Sequence, residues 1–150
     1  MGTIAELRNK IDEGISIGLE KFTTKFEREM NEKATKAEEH YYADYSSWYD
    51  PYRRFDIMNM HNTESVSDNR IAMINIEFSS SFMKGGHGFA PLYNDPGQVF
   101  EWGFETGNHG WYVPGTPVRV YWQQYFKTLN KRAKHWAIRY VTQGLKSVGL

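Results

Sequence analysis

The chain reads as an α+β domain in which long N-terminal and C-terminal helices pack on a small antiparallel β-sheet. Three observations predict this. Apolar or small residues step by 3 or 4 through the first forty positions. They do so again after Pro117. Between the two, "RIAMINIEFSSSF" alternates Ile74, Ile76 and Phe78 with Asn75, Glu77 and Ser79. Periods of 3.6 and 2 are those of an amphipathic helix and a half-buried strand.

The first helix is drawn over residues 1–43, with a stripe of Ile4, Leu7, Ile11, Ile15, Leu19, Phe22, Phe26, Met30, Ala34, Ala37 and Tyr41. Thr3 is placed to cap it, with Glu6 three residues on as in a capping box. Gly14 and Gly18 each weaken a helix by roughly 1 kcal/mol relative to Ala, which predicts a bend there. At 1.5 Å per residue such a helix runs roughly 60 Å, more than the width of a domain of 150 residues. Part of it is therefore expected to project or to pack on a neighbour.

A strand pair is expected within residues 52–82, after Pro51 closes the aromatic stretch "HYYADYSSWYDPYRRF". Its first member is read as "RRFDIMNM" and its second as "RIAMINIEF", with the polar "HNTESVSDN" as the connecting loop. "SSS" at 79–81 ends the second strand toward solvent. Residues 83–117 are read as Gly- and Pro-rich loops around a short helix in "GQVFEWGFE", capped by Asp95 before Pro96. The last helix is drawn over 118–145, with Val118, Trp122, Tyr125, Leu129, Ala133, Trp136 and Tyr140 on one side. Lys127, Lys131 and Lys134 fall on the other, as a solvated face.

Composition removes several classes of function. Without cysteine there is no disulfide, zinc–thiolate site, iron–sulfur cluster or thiol nucleophile. The mean hydropathy of −0.67 and the lack of a long apolar run leave no transmembrane helix. "MGTIAELRNKIDEG" has neither the apolar stretch of a cleavable signal nor the Ser or Thr of a myristoylation motif. Net charge is zero, yet it is segregated. Residues 1–50 hold 7 basic and 11 acidic side chains, and residues 51–117 hold 4 and 7. Residues 118–150 hold 7 basic side chains and no acidic ones. Such asymmetry bears on association: the basic end against the acidic helix, one subunit against another, or nucleic acid.

"VFEWGFETGNHGWYVPGTP" gathers Glu101, Glu105 and His109 among glycines and aromatics. With His87 and Asp95 they contain the side chains of a metal site, but HExxH, HxH and DxD are all absent, and no metal or other cofactor is expected. A small hydrolase or nuclease using His109 with Glu101 or Glu105 is one alternative function. No GxSxG is present, and "KGGHG" lacks the GKS or GKT of a phosphate loop. A nucleic-acid-binding module using the basic C-terminal helix is a second alternative. Trp111 and Tyr112 bring rigid apolar surface to a glycine loop, as interface anchors do. The interface candidates are His87, Glu101, His109, Trp111, Tyr112, Arg119, Lys127, Lys131, Arg132 and Lys134.

The order "PLYNDPGQVFEWGFETG", a glycine loop, then "PGTPVRVYWQQYFKTLNKRAK" resembles the small head–tail joining or tail-completion proteins of tailed phages, the neck, minor tail or minor capsid proteins. The resemblance lies in Val99, Glu101 and Gly103 before the loop, and in Pro114 and Pro117 opening the last helix. Where that family often shows a "P-x-D-T-G-x-L" turn, this chain has "YDPYRRFDIM". The resemblance implies a non-enzymatic structural protein of the virion, made in the host cytoplasm and assembled as a homo-oligomeric ring. Its partners would be the portal-side connector and the tail-tube proteins, with no membrane, and with nucleic acid only as DNA passing through.

Overall fold

The computed structural model describes residues 2–43, 59–68, 70–83, 97, 100–107 and 115–150. It is α+β: helix α1 (Ile4–Ala43), an antiparallel hairpin of β1 (His61–Asp68) and β2 (Ile71–Phe78), and helix α2 (Val118–Ser147). A short 3₁₀ turn follows β2 at Ser80–Phe82, and a π-helical turn spans Glu101–Thr106. The expected helix N-cap at Asp95 and the segment "RRFDIM" lie outside the described residues.

Helix α1 begins as its sequence demands. The Thr3 N–H donates to Glu6 Oε2 and the Glu6 N–H donates to Thr3 Oγ1, both at 3.1 Å, the reciprocal pair of a capping box. From Phe22 onward its stripe is buried at Phe22, Phe26, Met30, Ala34, Ala37 and Tyr41, whereas Ile4 and Leu7 are exposed. On α2, Val118, Trp122 and Leu129 are buried and Lys127, Lys131 and Lys134 are exposed, as the periodicity requires.

The described partner of β2 lies in a segment whose hydropathy does not point to a strand. The segment read as a polar loop, "HNTESVSD", is β1 itself. Its residues alternate in burial: Thr63, Ser65 and Ser67 are half-buried, while Asn62, Glu64, Val66 and Asp68 are exposed. Two of the three inner hydroxyls meet a carboxylate on α1. Thr63 Oγ1 donates to Glu27 Oε1 at 3.3 Å, and Ser65 Oγ donates to Glu27 Oε2. A buried polar strand is tolerable when its donors find acceptors. "SSS" also does more than end a strand: Ser79 Oγ accepts from the Ser81 N–H at 3.2 Å and caps the 3₁₀ turn.

The chain forms two compact units, each drawing on both helices and the hairpin. The first comprises residues 1–30, 63–75 and 128–150. In it, α1 and α2 meet backbone to backbone. A Cβ on Gly18 would lie 2.5 Å from Val141 Cα, and one on Gly144 would lie 2.2 Å from the Gly14 carbonyl oxygen. Only glycine permits such an approach. The helix runs unbroken through Gly14 and Gly18, so these residues serve contact there rather than an interruption. Phe26 packs edge-on against Trp136 at 6.1 Å, and Lys25 Nζ sits 5.5 Å from the same indole.

The second unit comprises residues 31–62 and 76–127. Phe78 is central to it, with ring centroids 4.7 Å from Phe104, 5.6 Å from Trp122 and 6.0 Å from His61. Phe100 stacks on Phe104 at 5.0 Å. The π-helical turn closes at Gly107, whose φ of 76° is the left-handed conformation that favours glycine. A Cβ there would meet the Gly115 carbonyl oxygen at 2.5 Å, so Gly107 and Gly115 lie side by side.

Candidate functional site

Among the described residues of the second unit, a buried carboxylate and imidazole join α1 to the start of β1. Glu38 is fully buried and accepts from the Met60 N–H through Oε2 at 2.6 Å. Its Oε1 is 2.5 Å from His61 Nδ1, and His61 Nε2 is 2.7 Å from Asn31 Oδ1. Both carboxylate oxygens and both ring nitrogens are thus engaged. A carboxylate orienting an imidazole is an element of general-base sites. Here the second nitrogen is held by Asn31 and the pair is closed to solvent, so the arrangement fastens the hairpin base to α1.

Beside it, His40 stacks on Tyr121 at 4.8 Å, and its Nε2 lies 2.5 Å from Tyr125 Oη. Lys33 and Lys36 place their ammonium groups 5.7 and 5.3 Å from the Tyr125 ring, in cation–π range. Burial pushes the Tyr125 phenol above its ordinary value of 10.0.

The residues singled out from sequence divide into three groups. His87, Asp95, His109, Trp111 and Tyr112 lie outside the described residues. Glu101 and Glu105 are exposed on the π-helical turn, and Arg119 Nη2 donates to the Glu105 carbonyl oxygen at 3.3 Å, with Nε 3.8 Å from Oε2. Arg119 is therefore tied within its own unit. Lys127, Lys131, Arg132 and Lys134 are exposed along α2. Of Trp122, Tyr125, Trp136 and Tyr140, the aromatics a nucleic-acid reading would stack on bases, Trp122 is buried, Trp136 packs against Phe26, and Tyr125 and Tyr140 are half-buried. Among the described residues no group of three or more His, Asp or Glu is close enough to hold a metal ion.

The first unit carries a different kind of feature. The outer face of the hairpin holds Val66, Ile71 and Met73 at 65, 65 and 62% exposure, bordered by exposed Glu64 and Asp68. Two positions, 69 and 70, join the strands, so Asp68 stands across from Ile71 and Val66 across from Met73. Three large apolar side chains are therefore contiguous on a two-stranded sheet with no third strand among the described residues. Exposed contiguous apolar surface rimmed by polar groups marks interaction sites, and unpaired strand edges are pairing sites for another chain. On α2, Ile138 is 58% exposed, with Lys134 and Lys131 one and two turns before it and Arg139 next in sequence. Sequence reasoning found the basic side of α2. It did not find the hairpin face, because it read "HNTESVSDN" as a loop.

Comparison with known protein families, with curated proteins and with solved structures gave no match to this chain. Among the described residues, no helix is long and apolar enough to cross a membrane.

Proposed function

We propose that this chain is a structural subunit that works by associating with copies of itself, as a ring in the neck of a tailed-phage virion. The observation that carries the self-association is the bare outer face of the hairpin. A two-stranded ribbon is marginal in water unless something covers it. Here α1 covers one side, and Val66, Ile71 and Met73 stand in solvent on the other. The placement in a virion neck rests on the resemblance of "VFEWG" and the Pro-opened last helix to the head–tail joining proteins. A ring subunit of that kind would present one surface to each neighbour, the heterologous contact that closes into a ring when its rotation allows.

Two measurements test the reading together. Sedimentation velocity of the full chain should show assembly growing with concentration. Immunogold labelling of intact particles should place the chain at the head–tail junction. A chain that stays monomeric at high concentration and labels no particle would refute it.

A further inference from the structure

Resting on that reading, we infer which two surfaces meet: the acidic-rimmed outer face of the hairpin in one copy and the basic outer face of α2 in the next. The argument lies within the first unit. Gly18 and Glu27 stand nine positions apart on α1, which at about 100° per residue is half a turn. Gly18 faces α2, through Val141 and Tyr140, and Glu27 faces the hairpin, through Thr63 and Ser65. Asp12 adds an ion pair to Arg70 at 2.7 Å. In this unit α1 is thus the middle layer, and the hairpin and α2 each turn their other side away from it.

Those two free sides are complementary. The hairpin offers Val66, Ile71 and Met73 with Glu64 and Asp68 flanking Val66 on its strand. Helix α2 offers Ile138 with Lys131, Lys134 and Arg139, and the whole helix carries no acidic residue with which to neutralise them internally. An apolar contact ringed by opposite charges would cover what each face leaves in water. The charges would set register and exclude like-with-like pairing. Because the two faces differ and point away from each other, the contact is head-to-tail and repeats, so it builds a ring or a filament rather than a closed pair. The occupant of the hairpin face is therefore a second copy of this chain.

Charge exchange in the full-length protein tests this. One variant carries Glu64→Lys and Asp68→Lys; a second carries Lys131→Glu and Lys134→Glu; a third carries all four changes. All four positions are exposed, so the fold is expected to survive, and circular dichroism verifies it. The wild type should assemble in sedimentation velocity at low ionic strength, and less so as salt rises. Each two-site variant should associate at least about tenfold more weakly, since like charges then face each other. A mixture of the two, and the four-site variant alone, should recover assembly. That recovery is the result a merely damaged surface would not give. If either two-site variant assembles like the wild type, or if neither the mixture nor the four-site variant recovers, this pairing is wrong while self-association stands. If the wild type itself stays monomeric, both fail.

Discussion

Replacing Gly18 by Ala inverts an ordinary expectation about helices. In the interior of an exposed helix the change stabilises by about 1 kcal/mol. Here the new methyl group would lie 2.5 Å from Val141 Cα and 2.6 Å from the Tyr140 carbonyl oxygen, against an ordinary contact that begins at 3.4 Å. The obstacles are backbone atoms, which cannot rotate aside, so α1 and α2 must part locally by about 0.9 Å, the difference of 3.4 and 2.5 Å. Parting also loosens the Phe26–Trp136 contact in the same unit. Overpacking of this kind costs about 1–3 kcal/mol, which outweighs the propensity gain. The net loss, up to about 2 kcal/mol, corresponds to a melting temperature lower by up to about 8 °C for a chain of this size. Thermal and urea unfolding measure it. The three contact glycines should also rank by their clashes: Gly144→Ala, with 2.2 Å to a carbonyl oxygen, as the most damaging, then Gly18→Ala, then Gly14→Ala at 2.9 Å. A Gly18→Ala protein that melts above the wild-type temperature, as the propensity gain alone would give, would refute the close crossing of the two helices.

Two further outcomes follow from the second unit. Glu38→Ala leaves the His61 ring and the Met60 N–H buried without their hydrogen-bond partner and should cost about 2–6 kcal/mol, about 1–3 for each group. Glu38→Gln keeps one acceptor for two donors and should lie between it and the wild type in urea unfolding; equal stability of all three would show that the carboxylate fastens nothing. Tyr125 gives an alkaline signature. Its phenol is raised in the folded state by burial, so its contribution is fully present below pH 10 and is lost as pH climbs through the higher folded value. His40, Lys33 and Lys36 are the titratable groups that touch it. On raising pH through 10, the wild type should lose stability relative to Tyr125→Phe; a constant difference between the two would show that Tyr125 is not shifted.

Local chemistry wrote much of this fold. The Thr3–Glu6 capping box, the stripe from Phe22 to Tyr41 and the opposed faces of α2 are all set by residues within a few positions of one another. They follow from helical geometry, and so does the exposed basic side of α2 that enters the proposed contact. The half-buried Ile74, Ile76 and Phe78 of β2 follow likewise from period-2 alternation.

What was illegible depends on groups distant in sequence. Nothing near "HNTESVSD" announces a strand, because Glu27, 36 positions before Thr63, is what satisfies the inner hydroxyls of Thr63 and Ser65. Glu38 did carry a signal: it lies four residues after Ala34 on the buried side of α1, and a carboxylate there requires a partner. The partner, His61, could not be read from it. Gly14 and Gly18 illustrate the divide most plainly. Their sequence context assigns a helix and a weakness within it, which is all that local propensity contains. Their closeness to Gly144 and Val141 exists only once α2 is laid across them, because a backbone contact has no periodicity and leaves no pattern in the chain.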